Sequence, residues 1–234
     1  MYFGMFDPTI VILIPAIIFT FYAQNRVNTA YNKYATVRNR RGMTGAEAAR
    51  RILDNNGLQD IPVEVSNRRL SDHYDPRKRV MRLSPQVYNE PSIASVSIAA
   101  HEAGHAIQHA GHYAPLRARN LLAPLVSAVS NLAWPILIVG LLIIGSGNLF
   151  QGNMIFNIGI ICYASAVLFQ AITLPVEYNA SNRAIQQLND LGIIYMEETA
   201  SAKKVLSAAA LTYVAALAAS IATLLRILAL RGRQ

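Results

Sequence analysis

The sequence predicts a mainly α integral membrane protein, with about four transmembrane helices and a small α+β domain on the cytoplasmic face. Three observations predict it. Of 234 residues, 53% are hydrophobic and only 15% charged, a balance foreign to ordinary soluble domains. From Asn120 to Val176 there is no Asp, Glu, Lys or Arg, room for two spans of roughly 20 residues each. Residues 26–119, by contrast, are rich in charge and carry alternating and helical patterns typical of a folded polar region.

Taken in order, 1–25 is expected to be an N-terminal transmembrane anchor. Pro8 to Asn25 is uncharged and no Lys or Arg precedes Arg26, so a cleaved signal peptide with a basic leader is not expected. Residues 26–119 form the cytoplasmic region. Residues 120–175 form a transmembrane hairpin, with spans near 122–144 and 154–174 around the turn "GSGNLFQGN". Residues 176–203 are expected to be a cytoplasmic helix. Residues 204–234 form a last helix, transmembrane or interfacial: Val205 to Leu225 is uncharged, about 31 Å of helix at ~1.5 Å per residue.

Orientation follows from the basic residues. Between Gln24 and Asn120 lie 15 of the 21 Lys and Arg, which places that region in the cytoplasm. Arg226, Arg231 and Arg233 then emerge outside after four spans, against the rule, which keeps the interfacial alternative for the last helix. The net charge of +8 is read as a membrane-topology charge, and no nucleic-acid partner is expected. A single cysteine, Cys162, excludes an internal disulfide framework and a Cys-rich zinc ribbon.

Within the polar region, Thr44-Gly-Ala-Glu47 has the capping-box pattern, so a helix begins there with Ala46, Ala49, Ile52 and Leu53 on one face. Asn56-Gly57 supplies its stop. Ile61 to Ser66 and Lys78 to Ser84 alternate at period two around "SDHYDP", a small hairpin or sheet. Val80 to Ser84 is a candidate edge strand for pairing with extended substrate. A further helix runs from about Ser92 to Gly111.

That helix carries His101-Glu102-Ala103-Gly104-His105. Residues four apart face the same way, so both imidazoles reach one zinc ion, and Glu102 lies beside it to take a proton from water. A hydrolytic zinc site uses three protein ligands and one open position. Candidates for the third are His109, His112, Glu197 or Glu198, and Glu177. His109 is two turns from His101, and the extended spacing that returns a third His fails at Gln108 and Gly111. Glu177 is the first charge after the apolar run and lies two spans from His105, hence on the same face. A carboxylate so near the membrane is costly without a partner, and two imidazoles on a metal provide one.

The anchor ending "FYAQNRVNTAYNKY", then "TGAEAARRIL", "LSDHYDP", "HEAGHAIQ", "PLRARN" and "LPVEYNAS", in this order, resemble the neutral zinc metallopeptidase family of bacterial membrane proteins, the YugP-like group. The resemblance extends more distantly to HtpX-like gluzincin membrane proteases. It implies a gluzincin-like metallopeptidase domain, with Zn2+ as cofactor, His101, His105 and Glu177 as ligands, and Glu102 as the catalytic base. It also implies endopeptidase activity on a polypeptide substrate; the expected setting is the bacterial plasma membrane, with the active site facing the cytoplasm by the charge rule above. Gluzincins usually carry Asp four residues after the third ligand to orient a ligand His; here that position is Ser181, so Ser181, Asn179 or Asn182 must take the role. His73, Tyr178 and Arg183 are candidates to support the developing oxyanion.

The function expected is therefore a zinc-dependent membrane-bound endopeptidase acting on membrane-proximal or unfolded polypeptides. The alternative is a metal-binding membrane scaffold or chaperone without turnover. An intramembrane protease fits poorly, because "NDLG" (Asn189 to Gly192) is polar and in the wrong order, and a transporter fits poorly because the spans lack charged residues. Small residues in the spans suit a compact bundle or a homo-oligomer.

Overall fold

A computed structural model describes residues 8–68 and 71–232. Outside it lie the start of the 1–25 segment, Leu70 of the "LSDHYDP" motif and Arg233. After a 3-10 turn at Pro8–Leu13 the elements are α1 (Ile14–Ala35), α2 (Gly45–Asn55), β1 (Val63–Val65), β2 (His73–Asp75), β3 (Val80–Leu83) and α3 (Pro85–Asn89). Then follow α4 (Ile93–Ala110), α5 (Ala114–Gly145), α6 (Leu149–Asp190) and α7 (Met196–Arg231). The chain divides into two compact units, one of Met1–Tyr22, Ala118–Leu174 and Tyr213–Gln234, the other of Ala23–Arg117 and Pro175–Thr212.

The second unit holds the polar chemistry. Thr44 caps α2 reciprocally: its Oγ1 accepts from the Glu47 amide at 3.2 Å, and the Thr44 amide donates to Glu47 Oε2 at 2.8 Å, which satisfies two otherwise orphan donors. The helix ends where Gly57 takes φ +71°, a conformation that costs a side-chain-bearing residue far more. Its buried face is Ala48, Ala49, Ile52 and Leu53, with Ala46 only half-buried. That face packs with Ile93, Val96, Ala99, Ala100 and Ala103 of α4 in one core cluster. The small side chains of α4 let its neighbours approach, so the helix is enclosed on most sides.

The sheet has the order β1-β3-β2, which corrects two expectations. Val80 to Ser84 contributes the central strand and not an edge: three of the four residues of β3 are buried, as a strand with partners on both sides requires. The "SDHYDP" segment is itself strand β2, antiparallel to β3 with Tyr74 opposite Met81. Its hairpin turn closes at Asp75, whose Oδ1 accepts from the Arg77 and Lys78 amides at 2.9 and 3.1 Å. β1 runs parallel to β3 and sets Glu64 opposite Arg82, an ion pair at 3.1 Å.

Apart from the turn at 146–148 and its last described residue, the first unit is helical in its described residues. α5 and α6 are each long and apolar enough to cross a membrane, as are Pro8–Ala35 and α7, so the chain is an α-helical membrane protein with four candidate spans and a three-stranded sheet. The turn between α5 and α6 is shorter than the polar run suggested. Asn148 Oδ1 accepts from the Gln151 amide at 3.2 Å, which starts α6 at Leu149. No separate helix occupies 176–203: that segment is the end of α6, a turn, and the start of α7.

Candidate metal centre

α4 and α6 bring three candidate ligands together. His101 and His105 lie one turn apart on α4, with ring centroids 4.8 Å apart and edge to face. Glu177 comes from α6. His101 Nε2 is 3.2 Å and His105 Nε2 is 3.6 Å from the same Glu177 Oε2. One ligand atom from each of the three lies within 4.8 Å of the others.

The close approach of the helices depends on Gly104, between the two histidines. A Cβ there would lie 2.6 Å from the Ala180 carbonyl oxygen, so any side chain would push α6 and its carboxylate away. Glu177 is almost wholly buried, at 2% exposure. Burial pushes its carboxyl pKa up, but the hydrogen bond with His101 and the closeness of both imidazoles outweigh this and hold it well below the ordinary range. For His105 burial acts downward, while the nearby carboxylates of Glu177 and Glu102 raise its pKa overall. Two imidazoles and a carboxylate, preorganised and mostly shielded from water, form a donor set suited to zinc with a fourth position open.

Each imidazole is held from behind. Ser181 Oγ lies 3.2 Å from His101 Nδ1, and Gln108 Oε1 lies 3.0 Å from His105 Nδ1. Glu102 is held by the sheet: the Tyr74 amide of β2 donates to Glu102 Oε2 at 3.0 Å. Tyr74 also reaches α4 by its side chain, with Oη 2.9 Å from His109 Nδ1. Burial lowers the pKa of His109, helped by Arg79 and His112. Asp72, just before β2, accepts from the Ser84 amide and hydroxyl, and burial raises its carboxyl pKa despite those bonds.

The other residues singled out from the sequence fall elsewhere. His73 is a strand residue and not a turn residue, and its Nδ1 lies 2.7 Å from the Ser71 carbonyl, on the face of β2 opposite Tyr74. Arg183 donates through Nε to Asn179 Oδ1 at 2.8 Å. Asn182 and Tyr178 line a cavity of about 440 Å³ with Ser181, Lys203 and Lys204. Glu198 accepts from the Tyr195 and Arg40 amides, and Glu197 pairs with Arg40, so both serve the start of α7. Sequence reasoning missed Gln108 and Tyr74. The signal for Gln108 was its place three residues after His105 on an otherwise apolar helix, within reach of the same face; Tyr74 gave none.

A family model described as "putative neutral zinc metallopeptidase" matches residues 9–232. The chain is 48% identical over 217 residues, 93% of each protein, to a relative named "Putative membrane protease YugP" from Bacillus subtilis (strain 168). No solved structure matches it. With a match across nearly its whole length and a donor set of the kind the family's name implies, the chain belongs to this family of neutral zinc metallopeptidases.

Proposed function

We propose that this protein is a gluzincin-type zinc endopeptidase that cleaves membrane-proximal or unfolded polypeptides at the cytoplasmic face of the bacterial plasma membrane. The observation that carries the reading is the convergence of His101, His105 and Glu177 within 4.8 Å, with Glu102 next to His101 on the same helix. These three residues would hold the ion. When bound, zinc supplies Lewis acidity to a peptide carbonyl and lowers the pKa of water at the fourth position towards ~7.

Glu102 does the proton work. Its carboxylate takes a proton from the attacking water as the new C–O bond forms, and returns it to the amine nitrogen as the C–N bond breaks. The Tyr74 amide donates to Glu102 Oε2 and fixes the direction of its carboxylate. β2 is the outer strand of the sheet and its Tyr74 amide already serves Glu102, so an extended chain lying along it would run beside the proposed catalytic carboxylate without need of a particular sequence. The cytoplasmic face is argued from the Lys and Arg of residues 26–119, and proximity to the bilayer from Glu177, the first charge after the apolar run.

Incubating purified protein in lipid nanodiscs with an unfolded protein such as casein tests the reading. Wild type should release peptides, and Glu102→Gln should be slower by about 10²–10⁴-fold while keeping its zinc. Zinc-loaded wild type without peptide release, against both soluble and membrane-tethered unfolded chains, would instead favour the metal-binding scaffold.

A further inference from the structure

Gln108 is fully buried, and both hydrogens of its amide nitrogen and its carbonyl oxygen have partners. Nε2 donates to the Val176 carbonyl at 2.8 Å and to Asn179 Oδ1 at 3.0 Å. Oε1 faces His105 Nδ1 at 3.0 Å. The amide cannot be reversed, because that would set its oxygen against two acceptor oxygens and leave no hydrogen for either. Oε1 can only accept. A lone pair on His105 Nδ1 would therefore meet another lone pair at 3.0 Å, and the contact is favourable only when Nδ1 carries the proton.

We infer that Gln108 is a positioning residue of the metal centre: it keeps the proton on His105 Nδ1, so that Nε2 is the nitrogen offered to the ion, and it locks the ligand helices in register. The inference rests on the metal-centre reading above. Its two halves come from one side chain. The acceptor end fixes the tautomer of one ligand, and the donor end binds the carbonyl immediately before Glu177, the ligand on α6. His101 lacks such a constraint, since its Nδ1 partner is the Ser181 hydroxyl, which donates or accepts with equal ease. Asn179 extends the arrangement by accepting from Arg183 as well, which keeps its oxygen turned towards Gln108.

The test uses detergent-purified full chain with 15N-labelled histidine, of which there are five, in zinc-free and zinc-loaded forms. The expected result is zinc on His105 Nε2, with a hydrogen-bonded Nδ1 proton that moves upfield or exchanges away in Gln108→Met. Zinc affinity should fall by about 10- to 100-fold in Gln108→Met. Gln108→Glu keeps an acceptor facing His105 Nδ1 but sets its second oxygen against the Val176 carbonyl and Asn179 Oδ1, so it should retain the Nδ1 proton without recovering full zinc affinity. Asn179→Ala, which removes one donor contact but leaves Oε1 in place, should lose less than Gln108→Met.

Coordination through His105 Nδ1 in wild type, which needs no variant to observe, would overturn the inference. So would an unchanged Nδ1 proton, or an unchanged zinc affinity, in Gln108→Met. A merely structural Gln108 would lower the melting temperature and leave both readouts in place. If wild type takes up no zinc, the metal-centre reading fails, while the Nδ1 proton in the zinc-free spectra still reports whether Gln108 sets the tautomer.

Discussion

In the unit of Ala23–Arg117 and Pro175–Thr212, apolar side chains are spent inward: Ile52, Leu53, Ile61, Met81, Leu83 and Leu188 are fully buried in one cluster. In the unit of Met1–Tyr22, Ala118–Leu174 and Tyr213–Gln234 they face outward, and Leu121, Phe150 and Ile161 are each at least 70% exposed. The apolar windows of the four long helices are only 11–22% buried. The same residue types thus meet different solvents. Where the solvent is water, burying a Leu or Ile contributes about 1.5–3 kcal/mol. Where it is lipid, the gain comes from close helix contact, as at Gly140 and Gly159, whose absent Cβ atoms would meet Phe156 and Leu137 within 3.0 Å. Every proposed ligand belongs to the water-facing unit, where polar groups are partnered by neighbouring side chains and backbone.

The sharpest way to break this contrast is to truncate one residue of each kind. Leu53→Ala should destabilise the detergent-solubilised protein by about 2–5 kcal/mol, seen as an early melting transition that also releases zinc. Ile161→Ala, in the other unit, should change melting by less than about 1 kcal/mol, because lipid or detergent already contacts that side chain. Equal effects would mean that the exposed helices pack against further protein.

A smaller effect compares two glycines. Gly104→Val puts atoms against the Ala180 carbonyl and should cost about 1–3 kcal/mol together with zinc affinity. Gly140→Val meets the Phe156 backbone and should cost a similar amount while leaving metal content unchanged. Loss of zinc in both would couple the helix pair to the site in a way the contacts above do not require.

The metal-free protein should have a distinct pH profile. Glu177, held below its unfolded value, contributes stability above the unfolded carboxylate pKa that is lost as pH falls through the folded one. His105, held above its unfolded value, contributes stability below the unfolded imidazole pKa that is lost as pH rises through the folded one. Melting temperature should therefore peak between roughly pH 4.3 and 6.5, the unperturbed values. Adding zinc should remove the alkaline loss, since the ion takes the place of the proton. The smallest effect is Thr44→Ala, about 0.5–2 kcal/mol from the lost cap, measured by urea melting with no change in zinc.

Much of this was legible in the sequence because it is local or rests on the absence of charge. The capping box at Thr44, the HExxH spacing and the charge-free run from Asn120 to Val176 each need only a short window. Glu177 was accessible because it ends that run. The sheet order was not: β3 pairs with a strand made of "HYD", whose polar letters read as a turn until Arg82 and Met81 are known to lie opposite. For Gln108 the spacing within α4 offered only its contact with His105, and its other two bonds go to oxygens of α6 that no local window shows. Ser181 stood out only as a departure from a family pattern, whereas its contact with His101 Nδ1 is a matter of how α6 lies on α4.

In the proposed site one carboxylate from α6 completes a set of ligands begun on α4. Metal content by elemental mass spectrometry on purified wild type, Glu102→Gln and Glu177→Ala tests it most directly. Wild type and Glu102→Gln should each hold about one zinc per chain, with most of it lost in Glu177→Ala while the helical circular dichroism stays intact. Retention of zinc by folded Glu177→Ala, or its absence from wild type, would contradict the account.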